Sequence, residues 1–463
     1  YSIAYSRMFL MLAKEIINRF KERRPVCLMA RMCLSRLLSP EAIDGIFHQH
    51  AEEQYERTIL FSALTELMAD VTLCVSRSVN ASYQKNREKL AAARSSVFNK
   101  LDRVEPQVVQ ALVRYSYEQT RAICNHLRMW DASDVAGYRT RILDGNHLAG
   151  TEHRLKELRR ERAAALPGKS LVVLDPRCRA IADMFPIEDG HAQELSALDE
   201  VIETIAAKDL WVADRNFCTH KLMYTSDDRK AAFVIRLHEK LVGEVVGKRR
   251  RIGKTETGTV YEQTMWLTPY EGERLKLRRI EIELNRLTRN KEPVVVLLTN
   301  LPAEVANAIT VSDIYLGRWK IETAFQTLTT TLRCEVNTLC YPRAALFAFA
   351  TALVTYNVIT VVETAIRAEH GKAEAGKLSK YYMALEISSN HDGMMAMLEE
   401  SDFDQYREMS VARFCKTLRD VAGHIDIARY LKNKRGPKKP VKKKPRNKRN
   451  VHVSVAKILS QRK

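Results

Sequence analysis

Three carboxylates in this chain, Asp144, Asp214 and Glu322, have the types and settings that phosphoryl transfer calls for. Arg139-Thr-Arg-Ile-Leu-Asp144-Gly reads as a strand that ends at a turn, and Asp209-Leu-Trp-Val-Ala-Asp214 as a second strand ending in Asp. An Asp at a strand's carboxyl end stands where active sites form in α/β sheets. Transfer between nucleic-acid strands needs two divalent cations about 4 Å apart, which hold the attacking and leaving oxygens in line. Hard oxygen ligands suit Mg2+, with Mn2+ as a substitute, and three carboxylates bridging two ions form an economical site. Each residue alone has a plainer explanation. Asp-Gly after a strand is more often just a turn, and Leu171-Val-Val-Leu-Asp175 ends in Asp equally well.

The third carboxylate falls on a helix predicted over about Ser312–Leu332. At about 100° per residue, Tyr315, Arg318, Glu322 and Thr329 form a polar stripe. It runs beside an apolar face of Ile314, Ile321, Phe325, Leu328 and Leu332. On periodicity alone an amphipathic helix with an Arg318–Glu322 pair at i,i+4 accounts for the pattern, at about 0.2–0.5 kcal/mol.

The blocks around the three residues shift that balance. Asp144-Gly-Asn-His-Leu-Ala-Gly-Thr-Glu-His-Arg-Leu-Lys-Glu-Leu-Arg resembles the first-aspartate region of insertion-sequence transposases of the IS-four family. Val212-Ala-Asp214-Arg-Asn-Phe resembles that family's second-aspartate block. Asp313-Ile-Tyr315-Leu-Gly-Arg318-Trp-Lys-Ile-Glu322 is similar to its third-carboxylate signature. The blocks occur in the family's order, over about residues 137–365.

The resemblance implies an RNase H-like catalytic core, a β-rich insertion before the Glu, and a DDE transposase that cuts transposon ends and joins them to target DNA. Asp144, Asp214 and Glu322 would bind the metals, and Tyr315 and Arg318 would contact phosphates at the transposon end. A planar guanidinium matches phosphate oxygens well. Trp319 would stack on a displaced base or pack, and packing is the expected role. Where the family signature has Lys this chain has Thr329, a cation lost from the DNA-facing stripe. Synapsis of two ends by a homodimer is also implied. The rivals are a nuclease of the same fold that does not join, and a transposase-derived DNA-binding protein without catalysis.

The elements that must position these residues follow from texture. Residues 1–130 read as helices, taken as the region that recognises the transposon ends. Short strands alternate with helix-like stretches (Glu152–Ala165, Glu194–Lys208), which predicts an α/β core over 131–230 and 312–370. The roughly 108 residues between Asp214 and Glu322 are too many for one connection. Strand-like runs fill 231–311 around the basic stretch Lys248-Arg-Arg-Arg-Ile-Gly-Lys254. Helices resume over 371–431, and a basic tail follows from 432 to 463.

Charge points to the same partner. The net charge is +19 over 463 residues, and the last 32 residues hold 14 Lys and Arg with no Asp or Glu. Nucleic acid is the commonest partner for such a chain. Lys438, Lys439, Lys442, Lys443 and Lys444, interrupted by Pro437, Pro440 and Pro445, are expected to lie along the phosphate backbone. Nine scattered cysteines form neither a zinc motif nor a disulfide framework, and buried free thiols are expected. No secretory signal is read at the amino terminus, and apolar Ala344–Val362 carries Thr351, Thr355, Tyr356, Asn357 and Thr360, as a buried helix would. A cytoplasmic, nucleoid-associated bacterial protein without a membrane is the expected setting.

Overall fold

The computed structural model describes residues 2–54, 58–132, 135–269, 272–288, 291–433, 436 and 452–462. Ten strands precede the last helices: β1 (Arg139–His147), β2 (Ala164–Leu166), β3 (Lys169–Asp175), β4 (Ala180–Ile187), β5 (Asp209–Ala213), β6 (Ala232–Arg236), β7 (Gly243–Lys254), β8 (Gly258–Leu267), β9 (Lys276–Leu284) and β10 (Val294–Thr299). β11 (His452–Ser454) lies near the carboxyl end. Nine of them form one sheet in the order β4-β3-β1-β5-β6-β10-β9-β8-β7. β3 and β4 run as antiparallel neighbours beside β1, whereas β5 and β6 run parallel to it. The block from 231 onward joins this sheet: β6 pairs with β5, and β10 to β7 extend it as antiparallel strands.

The register of β1 makes room for a site. Its pairing with β5 ends at Leu143–Ala213, but its pairing with β3 continues to His147–Lys169. From Asp144 onward the β5-side edge of β1 therefore opens into a crevice at the carboxyl end of the parallel strands, where α/β sheets place their ligands.

Helices from both ends of the chain share a core against this sheet. The Pro342–His370 helix packs on β4 and on the helices Pro25–Leu37, Phe61–Thr72 and Pro106–Leu127. It is long and apolar enough to cross a membrane, yet its apolar window is wholly buried inside the protein. Its polar residues explain why. Asn357 is fully buried and donates to Ser116 Oγ and to the Ile181 carbonyl, each at 3.0 Å, and accepts from the Ile181 N–H at 2.8 Å. One amide thus ties the helix to β4 and to Pro106–Leu127. Asn357→Leu leaves those three groups without this partner inside the core, and a loss of about 2–4 kcal/mol is expected. A thermal melt with an unchanged apparent Tm would refute this role for Asn357. All nine cysteines are free, and only Cys74 escapes full burial.

Several elements differ from the sequence reading, each for a tertiary reason. Asp144 does not end a strand: β1 continues through Gly145, Asn146 and His147 because Leu171, Ser170 and Lys169 of β3 pair with them. The 152–165 stretch forms no α-helix, only a 3-10 turn at Lys156–Leu158 and then β2. The partner of β2 is β11, nearly 300 residues away, so no local pattern announces it. The 194–208 stretch keeps only the short helix Leu198–Glu203 behind a 3-10 turn. The helix expected over Ser312–Leu332 is two helices, Ala308–Leu316 and Trp319–Thr331. At the break, Arg318 and Ile321 donate to carbonyls three residues back, and a Cβ on Gly317 would sit 3.0 Å from the Ile314 carbonyl oxygen. Glycine permits that tight turn.

Candidate active site

The three carboxylates come from three elements. Asp144 lies on β1 at the start of its open edge, Asp214 immediately follows β5, and Glu322 sits in the first turn of Trp319–Thr331. Asp214 accepts from the Asn216 N–H at 2.8 Å, which caps the short 3-10 turn Arg215–Phe217 and fixes the carboxylate at the end of its strand. Arg318 joins the other two. Its Nη1 donates to Asp144 Oδ2 at 2.7 Å and its Nη2 to Glu322 Oε1 at 2.9 Å. The break at Gly317 turns the Arg318 side chain onto β1. The Arg318–Glu322 contact is indeed the i,i+4 pair, but the same guanidinium also reaches a strand 174 residues earlier.

Electrostatics mark the crevice. Burial pushes the Asp144 carboxyl up to about 6, Arg318 pulls it down, and Asp214 and Glu322 push it up further. Burial also raises Asp214. Burial works against the Arg318 charge, yet Asp144, Tyr315 and Glu322 hold it above its ordinary value. A carboxyl raised by burial and by neighbouring carboxylates is a sign of a functional site. Arg318 Nε is buried without a hydrogen-bond partner, a donor left over after both carboxylates are served.

Other predicted residues fall as follows. Tyr315 is buried beneath Arg318, whose guanidinium carbon stands 5.9 Å from the ring centre. Trp319 does not pack as expected: it is 62% exposed, because the break at Gly317 starts a new helix with Trp319 on its solvent side. Thr329 is exposed on the same helix, and its hydroxyl donates to the Phe325 carbonyl at 2.5 Å. Asp175 is excluded from the site by direction. β3 runs antiparallel to β1, so Asp175 lies at the opposite end of the sheet, buried and bonded to Tyr117 Oη and the Arg177 N–H. His153 holds the Ala163 carbonyl at 2.9 Å, which ties down the loop before β2. In the basic stretch, Arg249 is paired with Glu281 and Glu283, and Arg250 with Glu262. Lys438, Lys439, Lys442, Lys443 and Lys444 lie outside the described residues. Beyond them β11 pairs parallel with β2, and Val455 packs on Leu158 and Ala165.

Residues 136–358, just under half of the chain, match the family model for the transposase DDE domain. The match supports a DDE transposase. It begins three residues before β1 and ends within the buried Pro342–His370 helix, so all three carboxylates fall inside the matched residues. No curated protein matches the chain. Transposase domains of this kind act on DNA and generally use divalent metals. Three carboxylates around a crevice have the chemistry a hard cation prefers. Among the described residues no group of three His, Cys, Asp or Glu is drawn together tightly enough to hold an ion. Arg318 stands between them as the counter-ion. One acidic residue at the crevice was missed by sequence reasoning. Glu194, expected inside a helix, opens a 3-10 turn whose side chain reaches Asn216 and Gly145. No sequence signal separates it from any other glutamate.

Proposed function

We propose that the chain is a cut-and-paste transposase of the IS-four type, which cleaves transposon ends and transfers the freed 3′-hydroxyls to target DNA. Asp144, Asp214 and Glu322 are its metal-binding carboxylates, built on an RNase H-like core. The observation that carries the reading is the single guanidinium of Arg318 bridging Asp144 and Glu322, with Asp214 at the end of the neighbouring strand. The strand order β4-β3-β1-β5-β6, with β1, β5 and β6 parallel, supports the core assignment.

Divalent cations, Mg2+ in the cell, would supply Lewis-acid stabilisation of the phosphate charge and a more acidic attacking hydroxyl. The chain's own residues do the rest. Arg318 pairs with Asp144 and Glu322, and its planar guanidinium suits a phosphate oxygen. Trp319, exposed and next to Arg318 in sequence, offers a ring on which a base can stack. The lysines of the tail, Lys438 to Lys444, bind DNA phosphates without regard to sequence. Two chains hold two ends, and the enzyme works in the bacterial cytoplasm on nucleoid DNA.

The test is a strand-transfer assay with labelled transposon ends, target DNA and Mg2+. Joined product is expected. Cleaved ends that never join would leave a nuclease of this fold, and bound but uncut ends a DNA-binding protein without catalysis.

Thr329→Lys separates the last outcome from an adapted enzyme. Thr329 is exposed and bonded only within its own helix, so the Arg318 clamp does not depend on it. End cleavage is expected to change less than about fivefold, while the salt slope of end binding steepens by about one unit. Cleavage that appears only in the Thr329→Lys protein would identify the wild-type chain as a decayed copy.

A further inference from the structure

A fourth carboxylate stands at the open end of β1. Glu194 follows β4, and its side chain is 19% exposed. Its Oε2 accepts from Asn216 Nδ2 at 3.2 Å, while the Asn216 backbone N–H donates to Asp214 at 2.8 Å. Asn216 therefore holds both carboxylates, Asp214 with its main chain and Glu194 with its side chain. Across the crevice, Glu194 lies against Gly145, where a Cβ would stand only 2.3 Å from Glu194 Oε1. A side chain beside Asp144 would move the Glu194 carboxylate out of this contact, a shift that the end of a flexible side chain makes at little cost.

No Lys or Arg pairs with Glu194 among the described residues. His147 Nε2, at 3.9 Å, is beyond hydrogen-bonding distance. Successive strand residues face opposite sides, so Glu194, against Gly145, lies across β1 from Arg318 and Glu322. The crevice is thus acidic on both faces, and Arg318 neutralises one of them. Glu194 is thus a mostly buried carboxylate held by a neutral amide against the bare backbone of Gly145, and it forms an ion pair with the His147 ring only when that imidazole is protonated. Such arrangements persist where function needs the charge.

We infer that Glu194 is a positioning residue of this centre: it steadies Asp214 through Asn216 and adds the negative charge that draws a divalent cation into the crevice. The inference rests on the metal-dependent reading above.

Its test is Mn2+ binding to the full chain without DNA, followed through the electron paramagnetic resonance of free Mn2+. Glu194→Gln keeps the size and the acceptor for Asn216 and removes only the charge. It is expected to weaken Mn2+ binding about tenfold, with a thermal midpoint no lower than wild type. Asn216→Ala, which keeps the backbone cap on Asp214, should weaken binding by about threefold. Wild-type affinity in Glu194→Gln, with binding lost in Asp214→Asn, overturns the role of Glu194 and leaves the metal centre standing. Wild-type affinity in Asn216→Ala overturns the link through that amide. A wild-type chain that binds no Mn2+, or an Asp214→Asn chain that binds it equally, removes the metal-centre reading and this inference with it.

Discussion

Asp144→Asn, Asp214→Asn and Glu322→Gln are each expected to reduce DNA-end cleavage by about three orders of magnitude or more, with end binding kept within a few-fold of wild type. Each substitution retains the volume and the hydrogen-bonding capacity of the side chain and removes one charge from the set facing the transferring phosphate. Stability provides a second, oppositely signed readout at Asp144. The folded carboxyl is raised to about 6, above its unfolded value near 3.8, so its ionisation destabilises the fold. That penalty grows as pH rises from about 4 to about 6 and is fully present above it. Asparagine escapes it but weakens the contact with Arg318, and the net gain at pH 8 is therefore at most about 3 kcal/mol. The Asn protein is expected to melt at or above the wild-type temperature at pH 8 and to lose that advantage near pH 4. Gel-shift and cleavage assays on labelled ends, with melts at the two pH values, measure all of this. Near wild-type cleavage by any one variant in Mg2+ would take that residue out of the centre.

Arg318→Ala is expected to lower cleavage by about two to three orders of magnitude and to weaken end binding, with the salt slope reduced by about one unit. In the cation-free chain the same substitution should tighten Mn2+ binding, because the guanidinium that neutralises Asp144 and Glu322 is gone. These opposite effects are expected if the guanidinium pairs with the carboxylates in the cation-free chain and with a phosphate once DNA binds. Arg318→Lys keeps the charge but reaches one carboxylate at a time, since an ammonium lacks the planar fork. It should fall between wild type and Ala in both measurements. A Lys variant indistinguishable from wild type, or an Ala variant with unchanged Mn2+ affinity, would show that the bridge between Asp144 and Glu322 is not what organises this site.

Much of the centre was legible before any coordinates. Asp214 at a strand end, the Arg318–Glu322 pair and the apolar face of Ile321 and Leu328 are local periodicities, and short-range sterics impose them whatever the rest of the chain does. The buried helix over Ala344–Val362 was legible too, because its interspersed Thr and Asn residues suit a protein interior. Strand pairing was not. β1 runs past Asp144 only because β3 pairs with it, Ala164–Leu166 is a strand only because β11 comes back from the far end of the chain, and Asp175 is excluded only because β3 is antiparallel. Each depends on a partner distant in sequence, and the energy of a ladder belongs to both strands. The kink at Gly317 needed the fold as well, since glycine permits a break without dictating one. Glu194 is the limiting case. Its sequence neighbours say nothing of Gly145, Asn216 or Asp214, and its meaning arises only when three segments meet at the end of the sheet. Residue types and local spacing by themselves marked which side chains could take part in chemistry. Long-range pairing decided where the charges converge, because a carboxylate's role depends on which other charges stand within a few ångströms of it.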